Sequence, residues 1–327
     1  MPCRALLWGS GAGIALECIR IVTVYVKLSS NEATDGMADD RGKVNALEST
    51  EYRRLADDFG WHIESLADAR GGWWVIAGER PPSTFDEEIL DELADVVDGS
   101  WWYEVRNSLL VDYMATCGVP RSLWEVGAGT GIVAQALQND GYQVVAVEPG
   151  RSGAAQTAER GVPSIASTLE ELRLPAGSIP AIGLFDVIEH LEDPGRFLEE
   201  CRRVLDPAGQ LVVTVPAYSW LWSNADDLAG HWRRYTTGSL IAEVEDSGFD
   251  VRDCSYRMAS LVGPMFFARA IPYRLGHRSE PSAVQRQLAI STGGVGRLVT
   301  VFERRAGRYL PFGTSVFAVA APNTSGG

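Results

Sequence analysis

Histidine is scarce in this chain, cysteine is scattered, and no long apolar run is clean. Only His62, His190, His231 and His277 occur in 327 residues, and no two of them have the spacing that puts two ligands on one helix face. The expectation is therefore no metal site. The five cysteines, Cys3, Cys18, Cys117, Cys201 and Cys254, are odd in number and lack a Cys-x-x-Cys pair, which argues against a disulfide framework or a zinc knuckle. A reducing, cytoplasmic setting fits them. Ala5 to Leu28 is mostly apolar, but Glu17 and Arg20 interrupt it, so its clean stretch falls far short of the roughly 18 residues a bilayer span needs. Arg4 before that stretch leaves a signal peptide as the alternative, but no convincing small-residue cleavage site follows. Residues 1–44, with the polar stretch Ser29 to Arg41 and Met37 as an alternative start, read as an extension and linker, poorly ordered. Internal repeats and low-complexity tracts are also missing.

Positive charge is in short supply overall. The net charge is −14, which makes a polyphosphate surface an unfavourable partner, and no nucleic acid is expected. What positive excess there is sits at the end: from Val251 onward ten arginines face three acids, a local +7. The stretch 261–278 carries Arg269, Arg274 and Arg278 after an apolar run and reads as an amphipathic surface able to make weak contact with a membrane, or as a helix covering a sheet. Apolar side chains make up 46% of the chain, enough to bury a sizeable core in one large domain or two modest ones.

Along residues 45–99 a helical pattern (Leu55, Phe59, Ile63, Leu66), a β-prone run at Trp73 to Ala77 and a capped helix starting near Thr84 form a small N-terminal α+β appendage. A helix follows from about Ser100 to Cys117. From Arg121 short apolar runs alternate with helical segments of about ten residues, the pattern of an α/β, mostly parallel sheet covered on both faces. Seven strands are expected: Ser122 to Val126, Gln143 to Glu148, Ser164 to Ala166, Ile179 to Phe185, Gln210 to Val215, Phe249 to Tyr256 and Val316 to Ala321. Asp193 and Pro194 mark one helix start and Thr237 another. The main domain is placed at 100–322, with an acceptor or lid segment at 216–236.

The most informative stretch is Leu123-Trp124-Glu125-Val126-Gly127-Ala128-Gly129-Thr130-Gly131, a strand that breaks into glycines and then opens a helix. Glycine belongs there because the backbone turns tightly and a ligand approaches where a Cβ would collide. Glu148 ends the next strand about 20 residues downstream, where a carboxylate can accept from both hydroxyls of a ribose. A dinucleotide motif needs a third small residue where Ile132 stands. Glu125, Glu148, Ser167, Asp186 and Pro216 all fall at carboxyl ends of expected strands, where open α/β sheets bind ligands.

The spacing Glu-x-Gly-x-Gly-x-Gly resembles motif I of the class I S-adenosylmethionine (SAM) dependent methyltransferases. The resemblance continues through Glu148, Phe185 to Pro194, Arg203 to Gly209 and Gly230 to Thr236, and it looks like the branch with quinone-biosynthetic and small-molecule O-methyltransferases. It covers about residues 100 to 260 and implies a Rossmann-like, doubly wound fold with SAM as cofactor and S-adenosylhomocysteine as product. By the same resemblance Glu125 and the backbone of Gly127, Ala128, Gly129 and Gly131 would hold the methionine end. Glu148 would hold the ribose, Asp186 would lie beneath the sulfonium or amine, and Thr168 and Leu169 would flank the adenine. Many relatives place an Asp at that last position, where this chain has Ser167 and Thr168.

Methyl transfer is an in-line displacement, so orientation and charge placement supply much of the acceleration. At a hydroxyl acceptor a base helps, and His231 and His190 are the catalytic candidates. Tyr218, Trp222, Arg233, Arg234 and Tyr235 are the candidate substrate contacts, as aromatic faces and anion clamps; Arg233 and Arg234 bridging Asp226 and Asp227 is the alternative. The expected activity is methyl transfer to a small-molecule or lipid-linked acceptor at a hydroxyl oxygen. The other two readings are an NAD(P)-dependent oxidoreductase and a non-catalytic partner subunit of the same fold.

Overall fold

The architecture is taken from a computed structural model, which describes residues 74–76, 100–278 and 293–323. The extension 1–44 and, apart from one strand, the appendage 45–99 lie outside the described residues. All seven expected strands are present: β2 (Ser122–Val126), β3 (Gln143–Val147), β4 (Ser164–Ala166), β5 (Ile179–Phe185), β6 (Leu205–Pro216), β7 (Phe249–Arg257) and β8 (Ser315–Pro322). An eighth extends them. β1 (Trp74–Ile76), expected within a separate appendage, pairs parallel with β4 at the sheet edge. The order is β1-β4-β3-β2-β5-β6-β8-β7, parallel throughout except that β8 runs antiparallel to both β6 and β7. This is a Rossmann-like α/β fold.

The helices are α1 (Trp101–Thr116), α2 (Ile132–Asn139), α3 (Arg151–Glu159), α4 (Pro194–Val204), α5 (Asn224–Ala229), α6 (Thr237–Asp246) and α7 (Gly293–Arg305). Consecutive strand residues point to opposite faces, and both faces are covered, which is why the strands read as continuous apolar runs. Trp124, Val145, Ile182, Leu184 and Val213 pack with Leu198, Cys201 and Val204 of α4 and Leu240 and Val244 of α6. Leu123, Val144, Ala181, Val212 and Phe317 pack on the other face with Leu110 and Met114 of α1 and Ala134 and Leu137 of α2.

Boundaries differ from expectation for local reasons. β6 starts at Leu205 because the Asp206 to Gly209 turn lies inside the strand, across a register shift between Ile179 and Ala181 of its partner. α6 is capped by Thr236, whose side chain accepts from the Ser239 amide, one residue before the expected Thr237. Asp193 and Pro194 do open α4. Residues 259–274 form a composite helical segment with a five-residue π turn at Phe266–Ala270.

β2 has β3 on one side and β5 on the other, so the chain reverses its winding direction between β2 and β5. A crevice opens there at the carboxyl ends of the strands. Ile182, fully buried in mid-β5 between Trp124 and Leu211, sits under that crevice. Ile182→Ala should cost about 2–5 kcal/mol through the cavity it leaves, read as a lower urea midpoint with an unchanged slope. A loss below about 1 kcal/mol would mean that the sheet centre repacks around the gap.

Candidate active site

The loop between β2 and α2 is held open by three left-handed glycines: φ is +78° at Gly127, +54° at Gly129 and +75° at Gly131. A Cβ on Gly131 would lie 2.8 Å from the Thr157 Cα, backbone that cannot move aside cheaply. The loop is tied to the next strand by Glu148, whose carboxylate accepts from the Gly129 amide at 2.7 Å and the Gly150 amide at 2.9 Å. Glu148 therefore shapes the loop as well as facing the crevice. Gly153, which no sequence motif singles out, lets α3 approach this junction: a Cβ there would meet the Gly129 carbonyl at 2.7 Å and Glu148 Cγ at 2.9 Å.

Glu125, one residue before the end of β2, is almost fully buried, and its Oε2 has no hydrogen-bond partner. Burial pushes its pKa up to about 8, against the nearby Arg106 charge and with added repulsion from Glu148. Asp186, after β5, adopts φ +59°. Its carboxylate receives Arg106 at 2.6 Å and the Thr214 hydroxyl at 3.2 Å, while Arg106 also donates to Thr214 at 2.8 Å. Arg106 was missed in the sequence because a single arginine in the apolar helix α1 carries no motif; it is 2% exposed and reaches across to strand ends far along the chain. Thr168 and Leu169 follow β4 as expected, Thr168 partly exposed and Leu169 wholly within the core.

In segment 216–236, α5 is absent from the sequence reading, because its apolar pattern is too short to register. Its Asp226 closes a capping box with Ser223 and accepts from His231 Nδ1 at 2.9 Å and from Arg234 at 2.6 and 3.0 Å. Burial opposes ionisation of Asp226, but His231 and Arg234 outweigh it and hold the carboxyl down at about 2. The His190 and His231 rings lie 4.7 Å apart, edge to face. Burial and the neighbouring His231 lower the His190 pKa to about 4. Glu189 beside them is fully buried, and its carboxyl is driven well above the usual range by burial and by Asp186.

Of the expected substrate contacts, Tyr218 stacks between Trp220 (5.1 Å) and Tyr256 (4.9 Å). Trp222 bonds Asp227 through its indole N–H. Arg233 and Arg234 are not a free clamp. Arg233 donates to the carbonyls of Leu191 and Glu192, and Arg234 is taken up by Asp226 and the Ala217 carbonyl. Tyr235 is interior, packed in the core.

A methyltransferase domain profile matches residues 124–213, the glycine loop through β6. A Mycobacterium tuberculosis protein named a probable S-adenosylmethionine-dependent methyltransferase is 30% identical over 189 residues, covering 54% of this chain and 69% of that one. The chain belongs to the SAM-dependent methyltransferases. This methyltransferase is also similar to a ubiquinone biosynthesis O-methyltransferase of Nitrobacter winogradskyi, 28% identical over 228 residues, 68% of this chain and 75% of that one. Another of that name, from Bradyrhizobium, is 34% identical over 102 residues, 29% and 40% of the two chains.

The family sets the cofactor as SAM and puts aside the oxidoreductase and non-catalytic readings. The residues fit that ligand: a glycine loop held in left-handed turns, an unpartnered buried Oε2 on Glu125, and an unpartnered Nε on the Arg106 guanidinium offer hydrogen-bonding groups and a positive charge where an amino-acid end would lie. When bound, SAM supplies an electrophilic methyl group whose bonding electrons stay with sulfur.

Two outcomes follow. Glu148→Gln keeps the shape but can accept through one oxygen only, so it should raise the SAM Kd about 10-fold or more and cost about 1–3 kcal/mol of stability. Calorimetry and urea unfolding read both, and an unchanged Kd would remove Glu148 from the cofactor site. Glu125 stays protonated in the fold up to about pH 8, whereas in the unfolded chain it ionises near ~4.3. The folded state thus holds an extra proton across that window, and stability falls as pH rises through it. Glu125→Gln should flatten this slope; identical slopes in both proteins would mean that the carboxyl is already ionised.

Proposed function

We propose that the methyltransferase moves the methyl group of SAM to a hydroxyl oxygen of a small-molecule or lipid-linked acceptor that enters beside segment 216–236. The observation that carries this reading is the pairing of His190 with His231, next to Asp186 and locked by Asp226. His190 and His231 form the polar face against which the acceptor hydroxyl gives up its proton. Asp226 fixes the His231 ring through Nδ1 and leaves Nε2 to face that chemistry. As the O–H proton departs, the oxygen lone pair forms the new O–CH3 bond. Glu125 and the backbone at Gly127, Ala128, Gly129 and Gly131 orient the donor, with Glu148 on its ribose, Asp186 beneath its amine and Thr168 beside its adenine, Leu169 being taken up by the core.

Tyr218, Trp220 and Tyr256 supply stacked aromatic faces for the acceptor. The composite segment 259–274 closes over them: Arg274 donates to the Trp220 carbonyl and Phe266 meets the Trp220 ring edge-on. On the outside of the same segment Phe267 and Leu275 are about 70% exposed (69% and 71%), which supports weak peripheral contact of 261–278 with a membrane and hence a lipid-linked acceptor. No helix among the described residues is long and apolar enough to cross a membrane. The names of the ubiquinone relatives favour oxygen as the methylated atom.

The test is transfer of an isotopically labelled methyl group from SAM to a panel of phenolic, sugar and prenyl-linked hydroxyl compounds, with the product bond located by mass spectrometry. His231→Ala should lower kcat about 10²–10⁴-fold and leave the SAM Kd within about two-fold. Methylation at nitrogen or carbon alone, or equal losses in kcat and SAM affinity, overturns the hydroxyl reading or the placement of His231.

A further inference from the structure

Glu303 of α7 is left one donor short. It is 1% exposed; its Oε1 accepts from the Ser260 amide at 2.8 Å and the Ser260 hydroxyl at 2.6 Å, while Oε2 has no hydrogen-bond partner. A buried carboxylate oxygen normally finds a donor or a cation. Arg304, the next residue, does not fill the role, because it is directed to Asp112 and Ser108 on α1.

Glu303 lines a cleft of about 720 Å3 between α1, β7 and α7, within the range of about 300–1,000 Å3 usual for small-molecule sites. The cleft shares no lining residue with the cofactor site. It starts at Leu109 on α1, and Tyr113 lies two turns, about 10 Å, along that helix from Arg106. The other charged wall is Arg257 at the end of β7. Its half-buried guanidinium lies 4.9 Å from the centre of the Tyr113 ring and donates to the neighbouring Tyr256 carbonyl. Among the described residues no carboxylate pairs with it. Asp253, which also lines the cleft, is already taken by the Tyr113 and Ser255 hydroxyls. A guanidinium laid on a ring keeps N–H groups at its edge for a planar anion.

We infer that this cleft is a second ligand site, for a small zwitterion of the amino-acid type. The ligand carboxylate pairs with Arg257, the ammonium supplies the donor that Glu303 Oε2 lacks, and an apolar or aromatic side chain lies against Leu109 and Tyr309. A ligand of one charge only would leave either the buried carboxylate or the guanidinium without its partner. Nothing local in the sequence joins these groups. Arg257 ends a strand, Glu303 is the one acid in α7, and only the packing of α7 beside α1 and β7 brings them round one space. The site is independent of the methyl acceptor and of the transfer step.

The test is calorimetry on the full chain saturated with S-adenosylhomocysteine, which closes the cofactor crevice, with L-phenylalanine, L-tyrosine and L-leucine as probes. The expected result is one molecule per chain with a Kd of about 1 mM or tighter for at least one probe. Its N-acetyl and amide derivatives, each lacking one charge, should bind about 10-fold more weakly or worse. Arg257→Gln and Glu303→Gln should each weaken the probe by about 10-fold or more, with the near-ultraviolet dichroism unchanged and the S-adenosylhomocysteine Kd within about two-fold. If Glu303→Gln does not fold, Arg257→Gln alone decides, since its side chain is only half-buried. No binding of any probe, derivatives that bind as tightly as the parent, or folded variants that bind as wild type does, overturns the site. Binding that disappears once S-adenosylhomocysteine is present places the probe in the cofactor crevice and overturns it as well.

Discussion

The organising constraint of this molecule is carboxylate charge gathered at one rim of an apolar sheet. Glu125, Glu148, Asp186 and Glu189 all lie at or just beyond the carboxyl ends of parallel strands, three of them buried. Left alone, such a cluster would repel itself and lose hydration. It is made tolerable by different means at each position. Backbone amides of the glycine loop satisfy Glu148, Arg106 neutralises Asp186, and Glu125 remains protonated. A binding site for a cationic ligand is the consequence, because every one of these groups gains from a positive neighbour.

The same constraint explains the glycines. Gly129 must present its amide to Glu148, and Gly153 must let α3 come close enough for that bond to form. Loop shape and charge placement are therefore one problem. Arg106 links the two faces of it: rooted in the α1 layer, it crosses to the end of β5 and bonds the hydroxyl of Thr214 on β6. Through that contact the packing of α1 and the position of Asp186 are mechanically joined.

In segment 216–236 Asp226 plays the equivalent part. It ends no strand, yet it closes the cap of α5, holds Arg234 and orients His231. Segment 216–236 is thus a small rigid unit rather than a loose loop, and the composite helical segment 259–274 rests on it through Arg274 and Phe266.

Much of the fold was legible because it is written in short-range patterns. Seven strands, the glycine loop and Glu148 followed from alternation, punctuation and spacing, since parallel strands buried on both faces must be apolar and left-handed turns must be glycine. Ion pairs and hydrogen bonds between remote residues leave no such trace. Arg106 and Asp186 are 80 positions apart, and nothing local to either announces the other. His190 and His231 stood out singly as catalytic candidates, with nothing to show that their rings meet, Glu189 carried no signal of its own, and α5 was too short to show a period. The sequence by itself determined seven strands of the sheet, its glycine loop and the family; the tertiary structure alone decided where β1 pairs and which buried charges share a space, because desolvation and pairing depend on distance in space and not along the chain.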